Sequence, residues 1–400
     1  MSLSRSSRKQ NLQKNQGSPD IILAVTLALL IIVGLIVISS ASAVLSQNET
    51  GNPNSYFFKQ LWSFGIGVIL FIVGYKMDYR YWKKIAPLLL LVSIIGLVLV
   101  YVPGIGVLRN GARRWIDLGI QFQPSELAKL AFVLYLAVWF ENKGNEVKKF
   151  MTSTFPFLVI LAFVGGLVVF EPDLGTAVVL SLIGGAIYFV AGAKWTHVVG
   201  MISAFVLFVF YLIKSAPYRM QRFMVFLNPE AHSTGQGYQI NQALLAIGSG
   251  GILGLGFGKS RQKFNYLPES ATDSIYAIVA EETGLIGAGL VIILFILFAI
   301  RGLQIARSSS DIFARLVATG ITVWIAGQAF INIMAILSLM PLTGVPLPFI
   351  SYGGSSIIML MLASGILLNI SRYIQKGDSN ANNRFGGRNW WSYLTGLGRN

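Results

Sequence analysis

The sequence contains no cysteine and only two histidines, His197 and His232. The first absence excludes a disulfide framework, a thiolate nucleophile and a cysteine-ligated metal site. The second excludes a site built from several histidines. Charged residues are also scarce: they make up 12% of the 400 residues, and a soluble domain carries about twice that fraction. A soluble fold is therefore disfavoured.

Hydrophobic residues are in excess, forming 54% of the chain with a mean hydropathy of +0.66. Apolar runs long enough to cross a bilayer as a helix recur from Ile21 to Ser371. They predict an all-α polytopic membrane protein with about ten transmembrane helices. The predicted spans are residues 21–45, 57–76, 85–102, 125–140, 154–170, 176–190, 197–213, 274–300, 312–337 and 356–371.

Lysine and arginine in the short loops predict the orientation, because they are retained on the cytoplasmic side. They place both termini inside, with disordered cytoplasmic tails over residues 1–19 and 375–400 and a transmembrane domain over residues 20–374. The largest loop, residues 214–273 between the seventh and eighth spans, is then extracellular. Topology and anionic lipid headgroups account for the net charge of +15, so no nucleic-acid partner is expected.

Two outer loops depart from this charge rule. One carries Arg113 and Arg114 after the third span, and the loop 214–273 carries six further cations, among them Arg222 and Lys263. Cations retained on the outer side predict an anionic ligand there, since arginine pairs bidentately with phosphate oxygens.

Asp273 is the candidate catalytic residue, because it lies where the outer loop turns into the eighth apolar span. Aspartate is also a common helix N-cap, and position alone gives both interpretations equal weight. On a continuous helix Asp273 and Glu281 share one face, Glu282 points away, and Glu281 lies about 12 Å deeper. An ionisable group at that depth needs a cavity or a partner. We therefore predict a polar cavity with Asp273 at its lip and Glu281 in its wall.

Two other charged motifs each leave two interpretations open. Glu126 and Lys129, neighbours on one face of the fourth span, form either a local ion pair or a pair in which Glu126 orients Lys129 towards a phosphate. The turn with Glu171 and Asp173 supplies either helix caps or part of a divalent-cation or sugar site.

Two segments with little charge are rich in glycine. Residues 341–356, with three prolines and three glycines, are expected to fold back into the protein and shape a cavity wall. Residues 248–260 are not a phosphate-binding loop, because Leu253 stands where the Gly-x4-Gly-Lys-Ser spacing requires a glycine. We predict a flexible extracellular segment there.

These motifs together resemble the SEDS family of bacterial cell-wall proteins over nearly the whole membrane domain. The loop around Lys263 is closer to the division and sporulation members of that family than to its elongation members. The chain departs from the family pattern at Glu230, Ala271 and Ser274. The matching segments are Asn110-Gly-Ala-Arg-Arg-Trp115, Gln123-Pro-Ser-Glu126 with Lys129, Glu171-Pro-Asp-Leu-Gly-Thr176, Gly237-Tyr-Gln239, Tyr266-Leu-Pro-Glu269, Thr272-Asp273, Glu281-Glu282 and Pro348-Phe-Ile-Ser-Tyr-Gly-Gly-Ser355.

The resemblance implies a peptidoglycan glycosyltransferase that polymerises lipid II, an undecaprenyl-pyrophosphate-linked disaccharide-pentapeptide, at the outer face of the bacterial plasma membrane during cell division. It implies Asp273 as the key aspartate, with a class B penicillin-binding transpeptidase and other divisome proteins as partners. Asp273 would act as general base or as ligand of a divalent cation, Mg²⁺ or Mn²⁺, and no organic cofactor is expected. The predicted substrate-binding residues are Arg113, Arg114, Glu126, Lys129, Lys263 and Glu281.

The sequence leaves two alternative functions open. A lipid II flippase would use the same polar cavity to hold a headgroup in transit, and the position of Asp273 at the outer surface favours chemistry over transport. A scaffold that recruits division proteins would depend on its tails, residues 1–19 and 376–400.

Overall fold

The computed structural model describes residues 17–109, 112–117, 121–229, 231, 235–264 and 266–374, so the predicted tails fall outside the described residues over 1–16 and 375–400. The prediction of an all-α polytopic fold is confirmed. The helices in these ranges are α1 (Ile21–Ala41), α2 (Ala43–Thr50), α3 (Ser55–Lys76), α4 (Tyr79–Leu99), α5 (Pro124–Lys143), α6 (Phe155–Phe170), α7 (Leu174–Val190), α8 (Trp195–Ser215), α9 (Pro217–Leu227), α10 (Gly235–Gly250), α11 (Ile275–Ser308), α12 (Ile312–Ile336) and α13 (Gly354–Ser371).

Eight helices in the described part of the chain are long and apolar enough to cross a membrane. Helices α5 and α7 coincide with the other two predicted spans, but α5 carries the charges of Glu126, Lys129 and Glu141, and α7 has 17 residues. The count of ten spans therefore stays a prediction. The Asp20 amide donates to Ser371 Oγ at 3.0 Å, so α1 begins and α13 ends at the same end of the bundle, as an even number of crossings requires.

Helices α12 and α13 form the centre of the bundle, with 83% and 89% of their most apolar stretches buried, whereas α8 has no buried residue. Small residues let the central helices approach closely. A Cβ at Gly365 of α13 would lie 2.3 Å from the Phe71 carbonyl oxygen of α3, so only glycine fits there.

Two regions outside the spans are more ordered than expected. The loop predicted over residues 214–273 contains the helices α9 and α10. Between α4 and α5 the chain forms a small antiparallel sheet of β1 (Gly106–Arg109), β2 (Ala112–Asp117) and β3 (Gln121–Phe122), which the sequence analysis missed. Ser355 Oγ accepts from the Gln123 amide at 3.0 Å, which joins the end of this sheet to the start of α13.

Helix α11 is broken at Gly284, where φ is 66° and ψ is −167°. The preceding glycine-rich segment supplies the backbone partners that the break leaves open. The Leu255 amide donates to the Glu281 carbonyl at 2.9 Å, and the Leu285 amide donates to the Gly251 carbonyl at 2.9 Å. The prediction of a flexible segment over residues 248–260 is therefore wrong, because unpaired backbone groups at membrane depth need partners.

Candidate functional site

Asp273 lies in a turn just before α11, and Ser274 rather than Asp273 occupies the N-cap position. The stretch 341–353 folds back against this turn, as predicted, with its backbone buried around Val345 and Leu347. Ser351 Oγ donates to the Thr272 carbonyl at 2.6 Å, and Asn332 Nδ2 donates to the Asp273 carbonyl at 2.8 Å. The backbone of Asp273 is thus fixed by α12 and by the returning segment, while its side chain is free of a capping role.

The carboxyl group of Asp273 is half-buried and lies close to Gly344. A Cβ atom added to Gly344 would lie 3.5 Å from Asp273 Oδ2. Burial, followed by the negative charges of Glu269 and Asp173, raises the pKa of Asp273 to about 7. Arg114 and Arg222 act in the opposite direction. A carboxyl group with a pKa near neutrality is suited to general base catalysis.

Arg114 is the residue of the predicted arginine pair that the structure places near Asp273. Its Nε donates to the Glu171 carbonyl at 3.1 Å, and its guanidinium also contacts the Pro172 carbonyl. Arg113 precedes it on β2, and successive strand residues point to opposite faces. The structure therefore brings one of the two guanidinium groups to the site.

Arg222 of α9 is the second cation near Asp273. Its Nη1 donates to the Leu342 carbonyl at 3.3 Å, two residues before Gly344. From the sequence, Arg222 is only one of the outer-loop cations, since the local sequence does not show that α9 folds against the returning segment.

The turn between α6 and α7 contains one helix cap and one buried acid. Asp173 accepts from the Thr176 amide at 3.0 Å and from its hydroxyl at 2.8 Å, which is the capping role. Glu171 is fully buried, and neither carboxyl oxygen has a hydrogen-bond partner. Burial, reinforced by Asp173 and opposed by Arg114, raises the pKa of Glu171 to about 9, so this acid is protonated at neutral pH.

Glu126 and Lys129 form the local ion pair rather than an open phosphate site. Lys129 Nζ lies 2.9 Å from Glu126 Oε1 and 2.8 Å from Gln328 Oε1, and 5.2 Å from the Trp324 ring centre. The Lys129 side chain is 1% exposed. In this structure its ammonium group is enclosed by protein partners.

Glu281 and Lys263 hold the loop before Asp273 onto α11. Glu281 is buried and accepts from Ser260 Oγ at 2.5 Å and from the Arg261 amide at 2.9 Å. Lys263 Nζ lies 3.0 Å from Glu282 Oε1 and donates to Ser40 Oγ of α1 at 2.9 Å. Glu282 has different partners from Glu281, in agreement with its expected position on another face, but it is buried in an ion pair. Glu281 is enclosed by loop partners rather than lining an open cavity.

The described residues contain no group of three histidine, aspartate or glutamate side chains that could hold a metal ion. Both Asp173 oxygens are occupied by Thr176, and Glu171 carries a proton at neutral pH. Asp273 stays the candidate ligand, and a divalent ion there would take its other ligands from substrate phosphates or water, as Mg²⁺ commonly does.

This fold and site define a class of protein: a polytopic helical membrane protein that fixes one carboxyl group near two guanidinium groups at one end of its bundle. The sequence matches the family described as cell cycle protein, comprising FtsW, RodA and SpoVE, over residues 20–376. The chain belongs to this family, the SEDS family.

Two relatives illustrate the match. The chain is 43% identical over 363 residues to stage V sporulation protein E of Bacillus subtilis (strain 168), covering 89% of this chain and 98% of that protein. It is 38% identical over 365 residues to a probable peptidoglycan glycosyltransferase FtsW of Geobacter metallireducens, covering 91% of this chain and 97% of that protein.

Solved structures agree. One is a chain of a peptidoglycan synthase complex that coordinates polymerisation and crosslinking. It superposes with a TM-score of 0.75 at 27% identity, covering 90% of this chain and 99% of that one. The rod shape determining protein RodA of Thermus thermophilus superposes with a TM-score of 0.66 at 28% identity, covering 90% and 98%.

Proposed function

We propose that this protein is a peptidoglycan glycosyltransferase that polymerises lipid II into glycan strands, in septal wall synthesis during cell division. Relatives that carry the glycosyltransferase name support the activity. The observation that carries the mechanism is the fixed, half-buried Asp273 carboxyl group, whose pKa is raised to about 7.

Asp273 acts as the general base. It accepts the proton of the sugar 4-hydroxyl of one lipid II molecule while that oxygen forms a bond to the anomeric carbon of the growing chain. The bond from that carbon to the pyrophosphate oxygen breaks with inversion, and undecaprenyl pyrophosphate leaves with the electron pair. General base catalysis typically contributes about 10² to 10⁴ in rate.

Arg114 and Arg222 supply positive charge for the departing pyrophosphate. Guanidinium groups bind phosphate oxygens in a bidentate manner, and fixed charge at a developing anion lowers the barrier. In the alternative role of Asp273, as ligand of a Mg²⁺ or Mn²⁺ ion rather than as base, that ion would supply the positive charge for the pyrophosphate.

The proposed setting follows from the same comparisons. The protein is a multi-pass membrane protein, and we place it in the plasma membrane with both termini cytoplasmic and Asp273 at the outer face. The similarity to a synthase complex supports a class B penicillin-binding transpeptidase as its partner, together with other divisome proteins.

The test is lipid II polymerisation by the purified protein with its transpeptidase. We expect Asp273→Asn and Asp273→Ala to reduce glycan synthesis by at least about 10²-fold. Asp117→Asn removes an exposed carboxylate from β2 and serves as the control. Near-normal synthesis by Asp273→Ala would refute the assignment.

A translocation assay in liposomes separates the flippase alternative. If the protein moves labelled lipid II across the bilayer, and Asp273→Ala abolishes that movement while wild type forms no glycan, transport rather than polymerisation is the activity.

A further inference from the structure

A basic cavity lies at the opposite end of the bundle from Asp273. It has a volume of about 360 Å³. The first residues of α4 lie at this end, because the Tyr79 amide donates to Asn369 Oδ1 near the end of α13, at 3.1 Å. The cavity is lined by Arg80, Lys83, Lys84, Glu141, Asp311 and Phe313.

The charges around this cavity are incompletely compensated. Lys83 Nζ pairs with Glu141 Oε2 at 2.7 Å, and Asp311 is engaged by the Tyr79 hydroxyl. Arg80 has an exposed ion-pair contact of 3.5 Å with Asp78, and its guanidinium group lies 5.1 Å and 5.7 Å from the ring centres of Tyr79 and Tyr373. Lys84 contacts the Tyr81 ring but has no ion-pair partner among the residues that the structure describes. An anion between Arg80 and Lys84 would complete the pairing.

The position of these cations on their helix gives independent support. Arg80 lies in the first turn of α4, where the helix dipole disfavours positive charge, and Lys83 and Lys84 follow in the second turn. An anion bound beside Arg80 would offset both the dipole and the side-chain charge.

The surface next to the cavity indicates that this anion is a lipid headgroup. Leu88, Leu91 and Ile95 follow Lys84 at spacings of four, seven and eleven residues, so they form one stripe on α4. They are exposed by 60%, 54% and 49%. The aromatic ring of Tyr81 is exposed beside Lys84, as is typical at headgroup level. An acyl chain along this stripe would bring its phosphate to Lys84.

We propose that this cavity binds an anionic phospholipid, with its phosphodiester between Arg80 and Lys84 and an acyl chain along the exposed stripe of α4. Basic pockets between transmembrane helices are a known mode of lipid headgroup recognition. The proposal is independent of the chemistry assigned to Asp273.

The test is a native mass spectrometry titration of the full-length protein with dioleoyl phosphatidylglycerol, and with dioleoyl phosphatidylcholine as the zwitterionic lipid of the same chains. We expect Lys84→Gln to weaken phosphatidylglycerol binding about fivefold and the Arg80→Gln, Lys84→Gln double variant about 25-fold. Phosphatidylcholine binding should be weak in all variants. Lys148→Gln is the control, since it removes an exposed cation outside the cavity.

Three results would overturn the proposal. These are unchanged phosphatidylglycerol binding in the double variant, an equal loss in Lys148→Gln, and displacement of the lipid by millimolar inorganic phosphate, which would indicate a site for a soluble anion. Elution of each variant at the wild-type position in gel filtration verifies that the fold is retained.

Discussion

The pH dependence of polymerisation tests the role of Asp273 directly. A base must be ionised to accept a proton, so the rate should rise with pH through its pKa. With a pKa of about 7, roughly one-tenth of Asp273 is ionised at pH 6 and roughly nine-tenths at pH 8, which predicts an increase in kcat/KM of about tenfold. An aspartate of ordinary pKa, about 3.9, would give a flat profile over this range.

Two substitutions should move the midpoint of this profile in opposite directions. Glu269→Gln removes a negative charge that raises the pKa of Asp273, so the midpoint should fall. Arg222→Gln removes a positive charge that lowers it, so the midpoint should rise. Glu146→Gln is the control. It removes an exposed carboxylate that follows α5 in the sequence, so it should leave the midpoint in place.

The assay is the initial rate of glycan formation from subsaturating lipid II between pH 5.5 and 8.5. Titration of the substrate is common to all variants, so the differences between midpoints report on the protein. A flat wild-type profile, or shifts of the same sign in Glu269→Gln and Arg222→Gln, would show that Asp273 is not the titrating base.

Three further predictions concern stability. Glu171 holds its proton up to a pKa of about 9 when folded and to about 4.3 when unfolded, so the folded state binds more protons between these values. The free energy of unfolding should therefore fall by about 1.4 kcal/mol per pH unit as pH rises through this window, and Glu171→Gln should reduce that slope in denaturation curves measured from pH 5 to 8.5. Lys263→Met leaves Glu282 charged and buried and should lower the free energy of unfolding by about 3–5 kcal/mol. Adding Glu282→Gln should restore part of that free energy. A double variant whose loss equals the sum of the two single losses would contradict the pairing. Gly254→Ala places a Cβ 2.2 Å from the Glu282 carbonyl, whereas Gly251→Ala meets open space at a similarly positive φ, so melting temperatures should fall more for Gly254→Ala.

The helices and the aspartate were predictable from local sequence because each depends on a local pattern. Apolar runs predict spans, and Asp273 stands at a visible change from polar loop to apolar helix. The role of Glu282 was not predictable from a helical wheel. A helical wheel shows on which side of α11 Glu282 lies, but not that Lys263 and Ser40 of α1 pack against that side.

The remaining site contacts join residues that are distant in sequence. Lys129 and Gln328 are 199 residues apart, and Asn332 binds the carbonyl of Asp273 from 59 residues away. No periodicity or spacing encodes such pairs, since they arise only when α12 packs against the other elements. The sequence therefore singles out Asp273 as the candidate acid but does not show the residues that fix it in place.

The interruption at Gly284 also separates α11 into two helical segments with different roles. Residues 285–308 rise about 36 Å as a helix, which already matches a bilayer. The preceding residues 275–283 are thus not needed for crossing the membrane. Their direction is set by the glycine-rich segment 248–260, which is hydrogen-bonded on both sides of the break. Asp273 consequently adjoins a short helical segment, and the direction of that segment depends on protein contacts rather than on membrane thickness.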